Sequence, residues 1–116
     1  MYEEMKQRII QEHVPGKQIT LAHVISNPQP ELFNVLDLDK EKGNAIGIMN
    51  ITPCEGVIIA ADVATKTVAV NIGFLERSDG SLMITGDVSS VETAIQEVIN
   101  YFTEKLNYDC VSMTQM

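Results

Sequence analysis

The chain has 116 residues, 45% of them hydrophobic and 21% charged, a balance that suits one globular domain able to bury a core without disulfides or metal. Its net charge of −8 leaves no basic cluster to neutralise phosphates, which excludes nucleic-acid binding. The apolar runs are too short for a membrane-spanning helix, the start MYEEMKQRII lacks a signal pattern, and two cysteines suit a reducing compartment, so a cytoplasmic location is expected.

Residues 2–13 are polar, with a small apolar centre at Ile9 and Ile10, and Pro15-Gly16 separates them from the rest of the chain. The segment reads as a loose tail, or as an extended arm that becomes ordered only against copies of itself. QITLAHVIS, bounded by Pro15-Gly16 and Asn27-Pro28, reads as a strand. A short helix comes next, with Pro30 near its first turn and Leu32, Phe33 and Leu36 on one face. Residues 37–44, DLDKEKGN, are a charged loop, and residues 45–51, AIGIMNI, are a strand apolar on both faces, as a central strand is.

Thr52-Pro53-Cys54-Glu55 reads as a helix start, with a threonine cap, proline first and glutamate third. That helix runs to about Lys66 with Val57, Ile58, Ala61 and Ala64 on one face, and Asp62 and Lys66 make an exposed pair four residues apart. From Val68 a two-residue period sets Val68, Val70, Ile72 and Phe74 against Ala69, Asn71, Gly73 and Leu75. Ser78, Asp79, Gly80 and Ser81 form a hairpin signal before a return strand at Leu82, Met83 and Ile84. Ser89 and Glu92 have the spacing of a capping box, and Val91, Ala94, Ile95, Val98, Ile99, Phe102 and Leu106 draw an amphipathic stripe.

Helix, strand, strand and helix in this order are the centre of a ferredoxin-like α/β (α+β) layer. From residue 45 the layer is one strand short, and residues 107–116 are thin for a buried strand. QITLAHVIS supplies the missing strand from the other end of the chain, so the order predicts a circular permutation with the last strand moved to the front.

Chemistry is sparse. Cys54 falls where helix amides favour a thiolate, yet no histidine neighbours it in sequence, so it reads as a structural thiol. His13, His23, Cys54 and Cys110 lack metal-ligand spacing, the acids form no recognisable acid–base pair, and glycine-rich phosphate loops are absent. No cofactor, no metal and no catalytic activity are expected.

RIIQEHVPGKQITLAHVISNP, AIGIMNITP and the stretch from Ala60 to Ala94 together resemble the circularly permuted BMC-domain shell proteins of bacterial microcompartments, of the ethanolamine- and propanediol-utilization types. The resemblance covers nearly the whole chain. It implies residues 1–14 as an N-terminal arm and residues 15–116 as a permuted BMC domain. Subunits of that family form flat homohexamers that tile, with other shell proteins, around enzymes of small amino-alcohol or diol catabolism. Their arms meet on the six-fold axis as a β-barrel that caps the central opening.

Carried over by position, the resemblance implies a hexamer-edge contact at Lys66, which read alone is an exposed lysine favoured by the helix dipole. Ser78, Asp79, Gly80 and Ser81 become the turn nearest the pore, with six copies of Asp79 as an acidic collar. Arg8, Ile9, Ile10 and Gln11 become the barrel strand. Asn27 stands where unpermuted relatives often carry an edge arginine, whose planar fork asparagine does not supply. His13 stands where close relatives tend to have an aromatic residue. The partners implied are a homohexamer, other shell proteins and targeting peptides of cargo enzymes, inside a cytoplasmic shell. A ferredoxin-like domain also fits a small-molecule-binding regulatory domain or a small oligomeric enzyme, because fold alone does not decide function.

Overall fold

Strand β2 (Ala45–Thr52) is the spine of the molecule, with β1 (Gln18–Ser26) and β4 (Ser81–Gly86) antiparallel on its two sides. The structure, a computed structural model, describes residues 16–116. Around the spine run α1 (Pro30–Val35), α2 (Gly56–Thr67), β3 (Asn71–Glu76), α3 (Val88–Lys105), β5 (Asp109–Cys110) and β6 (Thr114–Gln115). The sheet order is β3-β4-β2-β1-β5, and β6 also pairs with β1. Residues 1–14, and with them Arg8, Ile9, Ile10, Gln11 and His13, lie outside the described residues.

Because β2 is central, both its faces are covered, which explains its uninterrupted apolar sequence. Ala45, Met49 and Ile51 face the helical layer, where they join Val57, Ala60 and Ala64 of α2 and Val91, Ala94, Ile95, Val98 and Phe102 of α3 in the main core. At Gly47 a Cβ would lie 2.6 Å from Ile95 and 2.8 Å from Val91, so glycine lets α3 close onto the spine. On the opposite face Phe33 of α1 packs with Ile46 and Met83 in a smaller cluster. The apolar stripe of α3 is buried as its period predicts, from Val91 to Phe102.

Four local expectations are corrected. Thr52 does not cap a helix: it is the last residue of β2, paired with Gln18, and the peptide to Pro53 is cis. Helix α2 starts only at Gly56, without a side-chain cap. Ser89 and Glu92 do not form a capping box, because the chain is already helical at Val88 and the extended flanking residue is Asp87. Ile58 is half exposed, one position off the buried stripe of Val57, Ala60, Ala61 and Ala64.

The fourth correction concerns β3. It begins at Asn71 rather than Val68, and its pairing with β4 shifts between Ile72 and Phe74. That bulge interrupts the two-residue period. Beyond it Leu75 lies opposite Leu82 and packs against the main core, while Phe74 lies opposite Met83 and is left 40% exposed.

Residues 107–116 form a strap along the free edge of β1. Asn107 turns the chain out of α3 with φ +59°, and Tyr108 N–H donates to the Phe102 carbonyl at 3.0 Å. Asp109, Val111 and Met116 N–H groups then donate to Lys17, Ile19 and Val24 carbonyls, and Ser26 N–H donates to Met116. The strap pairs parallel to β1 in two stretches of two residues each.

Candidate functional site

The candidate residues fall at two ends of the molecule, separated by the length of β2, roughly 24 Å for eight residues. At one end Gln18 pairs with Thr52, and Ile51 N–H donates to the Gly80 carbonyl at 2.8 Å. The hairpin tip is therefore bonded to the same end of the sheet at which the chain enters β1. Gly80 has φ +75°, and a Cβ on it would run into the Ile51 carbonyl oxygen, so only glycine lets the tip lie flat on β2.

Side chains fix the tip further. Asp79 Oδ1 accepts from Ser81 N–H at 3.1 Å, and Ser78 Oγ donates to Glu76 at 3.1 Å. Asn50 Nδ2 donates to the Asp79 carbonyl at 3.2 Å and to Ser81 Oγ at 3.3 Å. Asn50, which reading the sequence missed, is thus the side chain that ties β2 to the candidate turn. Its one signal was a carboxamide inside the otherwise apolar run AIGIMNI.

At the other end Ser26, Ala45 and Gly86 stand in register across three strands. Asn27 N–H donates to the Asn44 carbonyl at 2.8 Å, and Asn44 Nδ2 donates to Asn27 Oδ1 at 3.1 Å. Asn27 has φ +51°, the left-handed region that asparagine tolerates better than a long side chain does, so the backbone gives a local reason for this residue. Helix α2 starts beside Ile51 and Tyr108, which flank Gly56, and runs away from the hairpin tip. After it Val70 packs against Gly86. Lys66, in the last turn of α2, thus shares an end with Asn27. Its Nζ lies 3.0 Å from Asp62 Oδ2, with the two side chains 75% and 56% exposed. An apolar groove of about 590 Å³ opens at this end too, between α1 and the strap, with Leu32, Val35 and Met116 on its walls.

Tyr108 packs edge-on against Phe102 at 4.7 Å, under the Lys17 ammonium at 5.2 Å from its ring centre. Burial pushes its phenol above the usual tyrosine range, and the Glu55 carboxylate and Cys110 add to that. Burial likewise raises the Cys110 thiol, against a lowering by hydrogen bonds from Thr103 and the Ile19 backbone. Cys54 lies before α2, with Sγ 3.7 Å from Glu55 Oε1. His23 Nδ1 is 2.6 Å from Thr114 Oγ1, a hydrogen bond that ties the strap to β1. Among the described residues no three His, Cys, Asp or Glu side chains converge as a metal site.

The arrangement presents a hydrogen-bonded tip with an exposed aspartate at one end, and an exposed lysine beside a turned asparagine at the other. A family model described as the BMC domain matches residues 45–113. The bacterial microcompartment shell protein PduU of Salmonella typhimurium is 51% identical over 108 residues, 93% of this chain and 92% of its own. The shell protein EutS of Escherichia coli is 46% identical over 110 residues, 95% of this chain and 97% of its own. Among solved structures, a flat hexamer of CutR superposes with a TM-score of 0.83 at 46% identity, covering 94% of this chain and 99% of that one.

Proposed function

Since the chain belongs to the BMC-domain shell proteins of bacterial microcompartments, a structural and not an enzymatic family, we propose that it acts as a hexameric shell tile. In this reading the hairpin tip of Ser78, Asp79, Gly80 and Ser81 points to the six-fold axis. Lys66 and Asn27 line the outer rim and meet neighbouring hexamers, of this chain or of other shell proteins. The observation that carries the reading is the opposition of the two ends along β2. A ring that turns one end inward turns the other outward, so one orientation serves pore and rim together.

Two finer features belong to the same proposal. The domain is a circular permutation of the ferredoxin-like order: β1 lies beside β2, in the position that a strand following α3 would take, and this supports the permuted reading. The arm, with Arg8, Ile9, Ile10 and Gln11, forms a barrel strand over the pore. Supporting this, the chain enters β1 at the tip end of the sheet, next to Thr52 and Gly80. The compartment encloses enzymes of small amino-alcohol or diol catabolism, and targeting peptides of those enzymes are its candidate cargo contacts.

Light scattering on the intact chain tests the tile. A solution mass near six subunits is expected, with sheets visible by electron microscopy at higher concentration. A monomer or compact dimer would overturn the proposal and favour a small-molecule-binding regulatory domain.

A further inference from the structure

Thr85 is the one buried polar side chain among the described residues, at 3% exposure. It lies in β4 between Ile46 of β2 and Asn71 of β3, on the sheet face away from α2 and α3. Its backbone is in the ladder, but its hydroxyl takes no hydrogen-bond partner among the described residues. A buried hydroxyl without a partner is unfavourable by the full desolvation of the group, which is why such groups in native proteins call for an occupant.

The space it faces is a crevice of about 290 Å³ with Thr85 in its floor and Asp37, Leu38, Asp39, Lys42 and Asn71 around it. The loop that supplies the wall is anchored locally. Asp37 has φ +59°, Leu38 N–H donates to the Phe33 carbonyl at 2.8 Å, and Leu38 packs over Gly73, where a Cβ would lie 2.6 Å from it. Asp39 uses Oδ1 to accept from Glu41 N–H at 2.9 Å, which leaves its other oxygen for a ligand. Two carboxylates against the single ammonium of Lys42 leave the crevice with a net negative charge, so a cation is favoured.

We propose that this crevice binds a small primary ammonium ion, held by the carboxylates of Asp37 and Asp39 and by the Thr85 hydroxyl. An –NH₃⁺ group carries three donors, and these three side chains offer three acceptors around one space. The exposed Lys42 ammonium borders the same crevice and opposes the ligand. The site is distinct from the pore turn: Thr85 adjoins Gly86, at the Asn27 end of the sheet.

The test is a methyl NMR titration of the full chain with ethylammonium chloride, read at the Leu38 and Ile72 methyls, with tetramethylammonium as the cation that has no N–H. Saturable shifts at those methyls in the millimolar range are expected, with tetramethylammonium at least tenfold weaker. Thr85→Val, which keeps shape and removes the hydroxyl, should weaken ethylammonium at least fivefold. Lys42→Ala should tighten it at least twofold by removing a like charge. Should Thr85→Val fail to fold, Asp37→Asn on the exposed loop substitutes for it, again with at least fivefold weaker binding. Absence of saturable shifts at these methyls, equal affinity for the two cations, unchanged affinity in the Thr85 or Asp37 variant, or weaker binding in Lys42→Ala would each overturn the proposal.

Discussion

Lys66→Ala separates the two roles available to this lysine. Among the described residues the ammonium reaches only Asp62, at 3.0 Å, and both side chains are more than half exposed. An exposed pair four residues apart on a helix contributes about 0.3–0.5 kcal/mol, less under physiological screening. For a domain of this size that is a loss of about 2–4 °C in Tm at most. A lysine donating to a neighbouring hexamer instead makes charge-assisted contacts of about 1.5–3 kcal/mol each, repeated along every edge of a ring. The substitution should therefore leave the fold and the hexamer mass unchanged while sheets disappear from electron micrographs at protein concentrations where the unmodified chain forms them. Sheets that persist in Lys66→Ala would refute the rim assignment, and a large fall in Tm would show that the lysine is structural within the subunit.

Gly80→Ala should destabilise the hairpin by about 1–2 kcal/mol for the left-handed backbone alone, and by more because the added methyl meets the Ile51 carbonyl, so denaturant unfolding should shift its midpoint without a change in slope. An unchanged midpoint would mean that the tip does not rest on β2. Folding stability should fall on the alkaline side. The raised Cys110 thiol and Tyr108 phenol bind their protons more tightly folded than unfolded, so their contribution is complete below the ordinary thiol value of 9.0 and is lost as pH climbs through their folded values. Melting followed from pH 8 to 11 should show this decline, reduced in Tyr108→Phe and Cys110→Ala, and equal slopes in the variants would refute the cause. Deletion of residues 1–13 should keep the hexamer mass while opening density on the axis in class averages. A fall to monomers would show that the arm holds the ring together rather than capping it.

How much was legible in the sequence depended on the range of the forces involved. The stripe from Val91 to Phe102 and the doubly apolar β2 were readable because burial on a regular element imposes a period on neighbouring residues. The hairpin tip was readable because a positive φ selects glycine locally, at Gly80. The start of α2 was misread because a capping motif is equally compatible with a strand end. Thr52 was claimed by pairing with Gln18, thirty-four positions away, and that contact outweighs the local preference of a threonine followed by proline.

The candidate site divides along the same line. Lys66 and the turn from Ser78 to Ser81 were found from their segments and from the resemblance those segments carry. That Asn27 and Lys66 share one end of the subunit, and that the turn occupies the other, appears only once β1, β2 and β4 are in register. Thr85 gave no signal in ITGD, where it is one more β-branched residue in a strand. Its burial against Ile46 and beneath the 37–43 loop is a property of three separate segments meeting. By itself the sequence determined most of the helices and strands, though not β5 and β6 or the starts of α2 and β3, and that they build an α/β layer. The tertiary structure alone decided the strand register, the face of β3 that the bulge turns inward, and the grouping of surface residues into two ends. Those depend on contacts between residues far apart in the chain, whose geometry no local pattern encodes.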